Sequence, residues 1–212
     1  FKTSNTMAQK SDVLRAELNS HPDVVDVAST ENSFFNHTML CSFYFTEAKM
    51  EYYAASVDQD KNLINIQCVS PNFFDVIGLR LMQGRWIDEK DAIDSAWSTP
   101  AVGMMSISAA QKYNIYIRDD LRRKSNHVIR YISGYVNDIY TTSVDKRRFP
   151  AVYIITTDKH RHYYLRLQPT ANVEEVKNHI RASIAKVNPQ EEMPEIEDFT
   201  HVVENMYADV RQ

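Results

Sequence analysis

A chain of 212 residues with 43% hydrophobic content carries enough apolar side chain to pack one large domain or two small ones, which excludes a disordered chain. Its 24 basic residues against 28 acidic ones give a formal charge of −4, so no global basic excess draws it to nucleic acid or to an anionic membrane surface. No apolar run approaches the ~20 residues that a bilayer span needs, and no signal-peptide pattern opens the sequence.

In chain order, Met7, Leu14 and Leu18, with Ala8 and Val13 beside them, fall amid Lys, Arg and Glu, and Pro22 ends the pattern; the spacing predicts an amphipathic helix over 7–19. Val24, Val25, Val27 and Ala28 then predict a short strand. Segments 36–45, 52–58 and 63–69 are rich in β-branched and aromatic residues and are separated by polar stretches, which predicts an antiparallel meander.

Next comes Val69-Ser-Pro-Asn-Phe-Phe-Asp-Val-Ile-Gly-Leu-Arg-Leu-Met-Gln-Gly-Arg85, followed by Trp86 and the acids Asp88 and Glu89. Ser70 is the expected helix N-cap, and Pro71 stands where a first turn tolerates a missing N–H. Phe73, Phe74 and Ile77 supply the apolar side. Gly78 is the expected left-handed C-cap, after which Leu79 and Leu81 extend toward Gly84.

Pro100 precedes a strand over 101–104, and a helix is expected over 106–113. Segments 126–135, 151–156 and 163–167 predict strands, the last with Tyr163, Leu165 and Leu167 alternating against Tyr164 and Arg166. Asn172-Val-Glu-Glu175 is a capping-box pattern opening a helix whose face carries Val173, Val176, Ile180, Ile184 and Val187, and Asn188-Pro189 stops it. A strand over 195–199 and a terminal helix over 201–210 complete the reading. A helix leading through a tight turn into a strand thus occurs near each end, so the two ends are expected to pair as one α/β layer around an inserted, mainly β part.

Chemistry is sparse. His160 and His162 alternate on a strand entrance and could share an ion, or they are two solvent-exposed residues; His21, His37, His127, His179 and His201 are scattered. Arg122-Arg123-Lys124 and Lys146-Arg147-Arg148, with Tyr140, form either a phosphate-binding patch or solvated loop faces. Cys41 and Cys68 fall in separate strand-like runs, compatible with a disulfide or with two buried thiols, and neither belongs to a zinc-type array. Asp88, Glu89, Asp91 and Asp138 are spaced as ordinary loop acids. Phe34, Phe35, Phe43, Tyr44, Phe45, Tyr52 and Tyr53 cluster early, as core or as a surface for a partner or apolar cargo. With 4 glycines and no Gly-x-Ser-x-Gly, His-Glu-x-x-His or phosphate-cradling loop, no catalytic motif is present, ATP hydrolysis is not expected within this chain, and no cofactor is expected.

The stretch VSPNFFDVIGLRLMQGRWIDEKD resembles the signature of the MacB-like periplasmic core domain of FtsX/MacB-type ABC transporter permeases. Segments 18–27 (LNSHPDVVDV), 132–138 (ISGYVND) and 165–169 (LRLQP) follow in the family's order, and Tyr207 matches a tyrosine often seen at its exit toward the second transmembrane helix. The family's Asn-Glu-Ala-like helix start and aromatic-Gly-Lys segment are replaced here by MSISAAQKYNI (105–115), with no glycine in 118–124. The resemblance implies an α+β, two-lobed fold: residues 1–50 and 157–212 forming a small α/β membrane-proximal subdomain, and 51–156 an inserted β-rich one. It implies Ser70, Pro71, Phe73, Phe74, Gly78, Gly84 and Arg85 as structural signature residues. It also implies a non-catalytic domain on the periplasmic side of the inner membrane, lying between two transmembrane helices cut away from the sequence in hand. Its partners would be those helices, an ABC ATPase domain or subunit, a second permease copy, a periplasmic partner and a cargo of unstated kind. The runner-up is a ligand-binding or sensory module that uses a cleft between the lobes; an enzyme stands third and requires converging carboxylates or histidines.

Overall fold

The helix expected over 7–19 is broken in two. In the computed structural model, which describes residues 1–33, 41–42, 64–94, 96–122, 128–139, 151–157 and 160–198, α1 (Asn5–Ala8) and α2 (Ser11–Leu18) meet at Gln9 and Lys10. Ser4 caps α1 by accepting the Met7 N–H at 3.2 Å, and Lys10 closes it with an N–H to the Met7 carbonyl at 2.8 Å. Lys10 then leaves the helical region (φ −109°, ψ 20°) before α2 begins. Met7, Leu14 and Leu18 still reach one core.

Nine strands among the described residues build a single mixed sheet: β1 (Val24–Thr30), β2 (Cys41–Ser42), β3 (Ile64–Val69), β4 (Leu81–Gly84), β5 (Ala101–Ser106), β6 (Leu121–Arg122), β7 (Val128–Val136), β8 (Ala151–Ile155) and β9 (His162–Leu167). The main path is β4-β7-β5-β8-β3-β1-β9, with β2 beside β3 and β6 beside β7. β3 runs parallel to β8 and β5 parallel to β7; the other pairings are antiparallel. Every residue of β5 and β8 is buried, as expected of central strands covered on both faces.

Alternation along these strands sorts side chains to two faces. Val102, Met104, Tyr153 and Ile155 pack with Phe73, Phe74, Val76 and Ile77 of α3 (Phe73–Ile77). Met105, Val152 and Ile154 pack with Ala109, Ala110 and Tyr113 of α4 (Ile107–Tyr113) on the other. At the β1–β9 end that second face is covered by α2 and α5 (Val173–Val187), whose Val176, Ile180 and Ile184 meet Leu14, Leu18, Val27 and Tyr163. The alternation expected in β9 is present, but both faces are occupied: Tyr163 and Leu165 join the helices, while Tyr164 stands edge-on to Phe73 at 6.4 Å.

Three terminations follow from local chemistry. Gly78 sits at φ 80°, its N–H on the Phe74 carbonyl at 2.9 Å and the Leu79 N–H on the same oxygen at 2.8 Å, so α3 ends in the left-handed cap that its sequence predicts. α4 starts at Ser106, whose hydroxyl serves the Ala151 N–H instead; the cap comes from Asp138, which accepts the Ser108 N–H at 3.2 Å and hydroxyl at 2.5 Å. Asn172 caps α5 through the Glu174 and Glu175 N–H groups, yet Glu175 receives the Asn172 side-chain amide rather than its backbone N–H, which turns to Asp23.

Two expectations are corrected. The N-cap position of α3 is Asn72, and Pro71 lies in the preceding turn, because Phe73 N–H already bonds the Ser70 carbonyl at 3.0 Å. The strand expected from 195 does not form through 198: Pro194 lacks a donor, and Glu192, Glu195, Glu197 and Asp198 would set like charges along a ladder. Among the described residues, the α/β layer at the chain's two ends is closed by β9, which precedes α5. The segments at 36–40, 43–45 and 52–58 and the helix at 201–210 fall outside the described residues.

Candidate functional site

The seam where β1 meets β3 carries a buried polar network that begins at the signature helix. Ser70 N–H donates to the Ser29 carbonyl at 2.8 Å, and Ser29 N–H returns to the Ser70 hydroxyl at 3.0 Å. Asn72 is the hub: its amide donates to Asp26 at 2.8 Å and to the Val27 carbonyl at 3.0 Å, and its oxygen accepts from the Ser70 hydroxyl at 2.8 Å and from Arg15 of α2 at 3.2 Å. Arg15 also reaches the Val27 carbonyl at 3.3 Å.

His160 completes the seam from the β9 side. It is only 4% exposed, and its Nδ1 and Nε2 lie 2.8 Å from the Ser29 and Thr156 hydroxyls. It is thus neither an exposed residue nor paired with His162 around an ion, and among the described residues no group of three or more histidines, cysteines or acids could hold a metal. The Ser29–His160 contact has the atoms of a nucleophile and base, but Ser29 is fully buried, so no substrate could reach its oxygen. The network can hold three strands in register; it cannot present a reactive group.

His162, half-buried, is different. Burial, then the nearby charges of Lys2 and Arg161, push its ring pKa down to about 4. It is a neutral imidazole beside the N-terminal segment, bridged antiparallel to Lys2.

A second constellation sits at the opposite sheet edge. Arg85 grips Asp91 with two bonds of 2.8 and 2.9 Å, donates to the Tyr131 hydroxyl at 2.8 Å and the Trp86 carbonyl at 2.8 Å, and lies over the Tyr131 ring. The guanidinium bond holds the Asp91 carboxyl below its ordinary range. Asp88 and Asp91 close one capping box around the short 3-10 turn Glu89–Asp91, and Asp138 caps α4. Beneath the clamp, Gly84 (φ +85°) faces Gly134 across β4–β7; a Cβ on Gly84 would strike the Ser133 carbonyl and lie 2.6 Å from Gly134 Cα.

A groove of about 820 Å³ opens between the N-terminal segment and the loop after α5, lined by Lys2, Ser4, Glu191 and Met193 among others. All its lining residues come from the two ends of the chain.

Of the residues singled out from sequence, Phe73, Phe74 and Trp86 share one apolar cluster, Ser70 enters the seam, and Gly78, Gly84 and Arg85 shape the corner between α3 and β4. Cys68 is buried, and Cys41 pairs in register with Asn65, three residues away along β3. The side chains of 122–124 and 146–148, Tyr140 and the early aromatics lie outside the described residues. Asn72 and Glu191 were not singled out; Asn72 was visible only as a capping-type residue beside a helix start.

The described residues form a mixed sheet with α3 on one face and α2, α4 and α5 on the other, joined across β1 and β3 by a polar seam, and this fold is similar to that of solved permease domains of the MacB-like periplasmic kind. The solved structures similar to it include the periplasmic region of MacB from Actinobacillus actinomycetemcomitans (13% identity, 93% of this chain and 81% of that one, TM-score 0.56). The extracellular domain of the noncanonic ABC-type transporter YknZ from Gram-positive bacteria is also similar (12%, 82% and 81%, 0.52), as is a domain of a putative permease from Porphyromonas gingivalis (15%, 97% and 90%, 0.53). No family model matches the sequence, and no curated protein matches it.

Proposed function

We propose that this chain is a non-catalytic, extracytoplasmic domain of an ABC transporter permease of the MacB/FtsX kind. ATP hydrolysed on a separate cytoplasmic domain or subunit moves the transmembrane helices of the permease, and this domain carries that motion to the export or release of a cargo or to an outer partner. In this reading residues 1–50 and 157–212 form the membrane-proximal part and 51–156 the inserted part.

The observation that carries the reading is the seam. A domain that relays motion needs its parts joined by contacts that do not slip, since packed elements switch between discrete arrangements rather than deform continuously. Here one hydrogen-bonded sheet passes from β9 through β1 into β3 and β8, and the buried bonds of Ser29, Ser70 and His160, with the half-buried ones of Asn72, pin that passage. The likeness to domains of MacB, YknZ and a permease supports the same role. Among the described residues no helix is long and apolar enough to cross a membrane, so the driving helices would be other segments. The groove described among these residues lies between the two ends of the chain.

Protease shaving of spheroplasts carrying the full-length parent, followed with an antibody against this segment, tests the placement. Digestion without lysis is expected; protection until lysis removes the permease reading.

A further inference from the structure

The N-terminal strap, residues 1–5, is held on two sides. Along the start of β9, Thr3 N–H donates to the Arg161 carbonyl at 2.8 Å and Tyr163 N–H to the Phe1 carbonyl at 2.9 Å. On its other side stands Glu191, in the loop after α5. One carboxylate oxygen accepts the Ser4 N–H at 2.5 Å and the other the Ser4 hydroxyl at 2.6 Å, while Asn188 Nδ2 donates to the second at 2.9 Å. Lys10 adds a bond to the Val187 carbonyl at 3.1 Å. Burial works against ionisation of Glu191, yet the bonds from Ser4 and Asn188 keep its carboxyl below the usual range.

We propose that Glu191 is a latch that ties the N-terminal strap to the segment leaving α5, so that the two ends of the domain move as one body. Hydrogen bonds to an ionised acceptor are roughly twice as strong as neutral ones. Ser4 also links the latch to helix structure, because the hydroxyl that donates to Glu191 accepts the Met7 N–H as the cap of α1. A chain of donors of this kind reinforces itself. Releasing Glu191 therefore frees the Ser4 end of the strap, with Phe1 and Thr3 still bonded along β9, and weakens the first turn of α1 together. In its consequence the inference rests on the proposed function: if both ends lead to membrane helices, the latch makes the domain answer to their joint motion rather than to either alone.

Amide hydrogen exchange on the 212-residue chain tests the latch. Glu191→Ala is expected to speed exchange across residues 4–8 by about tenfold or more, the size set by losing charge-assisted bonds, while β5 and β8 keep their protection. Glu191→Gln, which retains one acceptor in place, falls between the two. Unchanged exchange at 4–8 in both variants overturns the proposal, and so does an equal increase throughout the core. In the full-length parent, an oxidised Ser4→Cys/Glu191→Cys pair is expected to preserve nucleotide-dependent changes in labelling at an exposed Met82→Cys reporter, and Glu191→Ala to reduce them. A freed strap with undiminished changes overturns the coupling role, whereas protease protection of the parent in spheroplasts overturns the permease reading and leaves the exchange result standing.

Discussion

Asn72 places four hydrogen bonds between α2, β1 and the start of α3. Asn72→Ala removes the amide donor of the half-buried Asp26 carboxylate, while the Val27 carbonyl keeps its bond from Arg15, and a partly buried acceptor left short of its donor costs ~1–2 kcal/mol. A loss of roughly 1–2 kcal/mol in the free energy of unfolding, read by urea denaturation, is the expected outcome. His162 gives a pH signature instead. Its folded pKa of about 4 lies below the ~6.5 of an unfolded histidine, so the unfolded chain binds the extra proton first as pH falls. The stability this site contributes is therefore complete above pH ~6.5 and lost on the way down to 4. Denaturation midpoints of His162→Asn should fall less over that window than those of the parent. Asn72 and His160 were not legible as hubs, because hydrogen-bonding partners 45 or 131 positions away leave no local trace; spacing reports periodicity, not convergence.

Local rules did specify the elements that depend on few neighbours. The Gly78 cap and the apolar face of α5 are written within a single helical turn or along one stripe and appear as the sequence predicts, while the box expected at Asn172 forms only its side-chain half, the Asn172 N–H turning to Asp23. Elements decided by tertiary context were misjudged: the helix over 7–19 breaks where Lys10 reaches across to Val187, and residues 195–198 stay out of the sheet although their sequence alternates. The β4–β7 corner makes a sharp test. Gly84→Ala meets both a positive φ and backbone atoms of Ser133 and Gly134, and the expected cost is roughly 2 kcal/mol or more; Gly78→Ala, strained in φ, should cost about 1 kcal/mol. Equal costs in thermal unfolding would contradict the close β4–β7 approach. The Arg85 clamp, nearly half exposed, is expected to matter less, with Arg85→Ala within about 1 kcal/mol.

At the scale of the whole molecule, one sheet unites the ends of the chain with its middle, and Ser70 in the seam with Phe73 and Phe74 in the core beside it lie where that union is made, while Arg85 of the same signature stands at the far edge. The fold was legible because its signature stretch is continuous in sequence. How motion would enter was not, because the Ser4–Glu191 contact spans 187 positions. Two thiols in a non-reduced, unfolded sample are the expected titration result: the register sets Cys41 opposite Asn65, and three residues of strand place it about 10 Å from Cys68, too far for a bridge.

The most direct test of the whole reading places Val13→Cys and Met82→Cys, both on exposed side chains, in a Cys41→Ser version of the full-length parent. Intact spheroplasts are then treated with a membrane-impermeant maleimide, with and without nucleotide trapping. Labelling from outside at both positions, at rates that change when nucleotide is trapped, is the predicted result. Labelling only after lysis contradicts the extracytoplasmic placement, and outside labelling that nucleotide never alters contradicts the relay of motion.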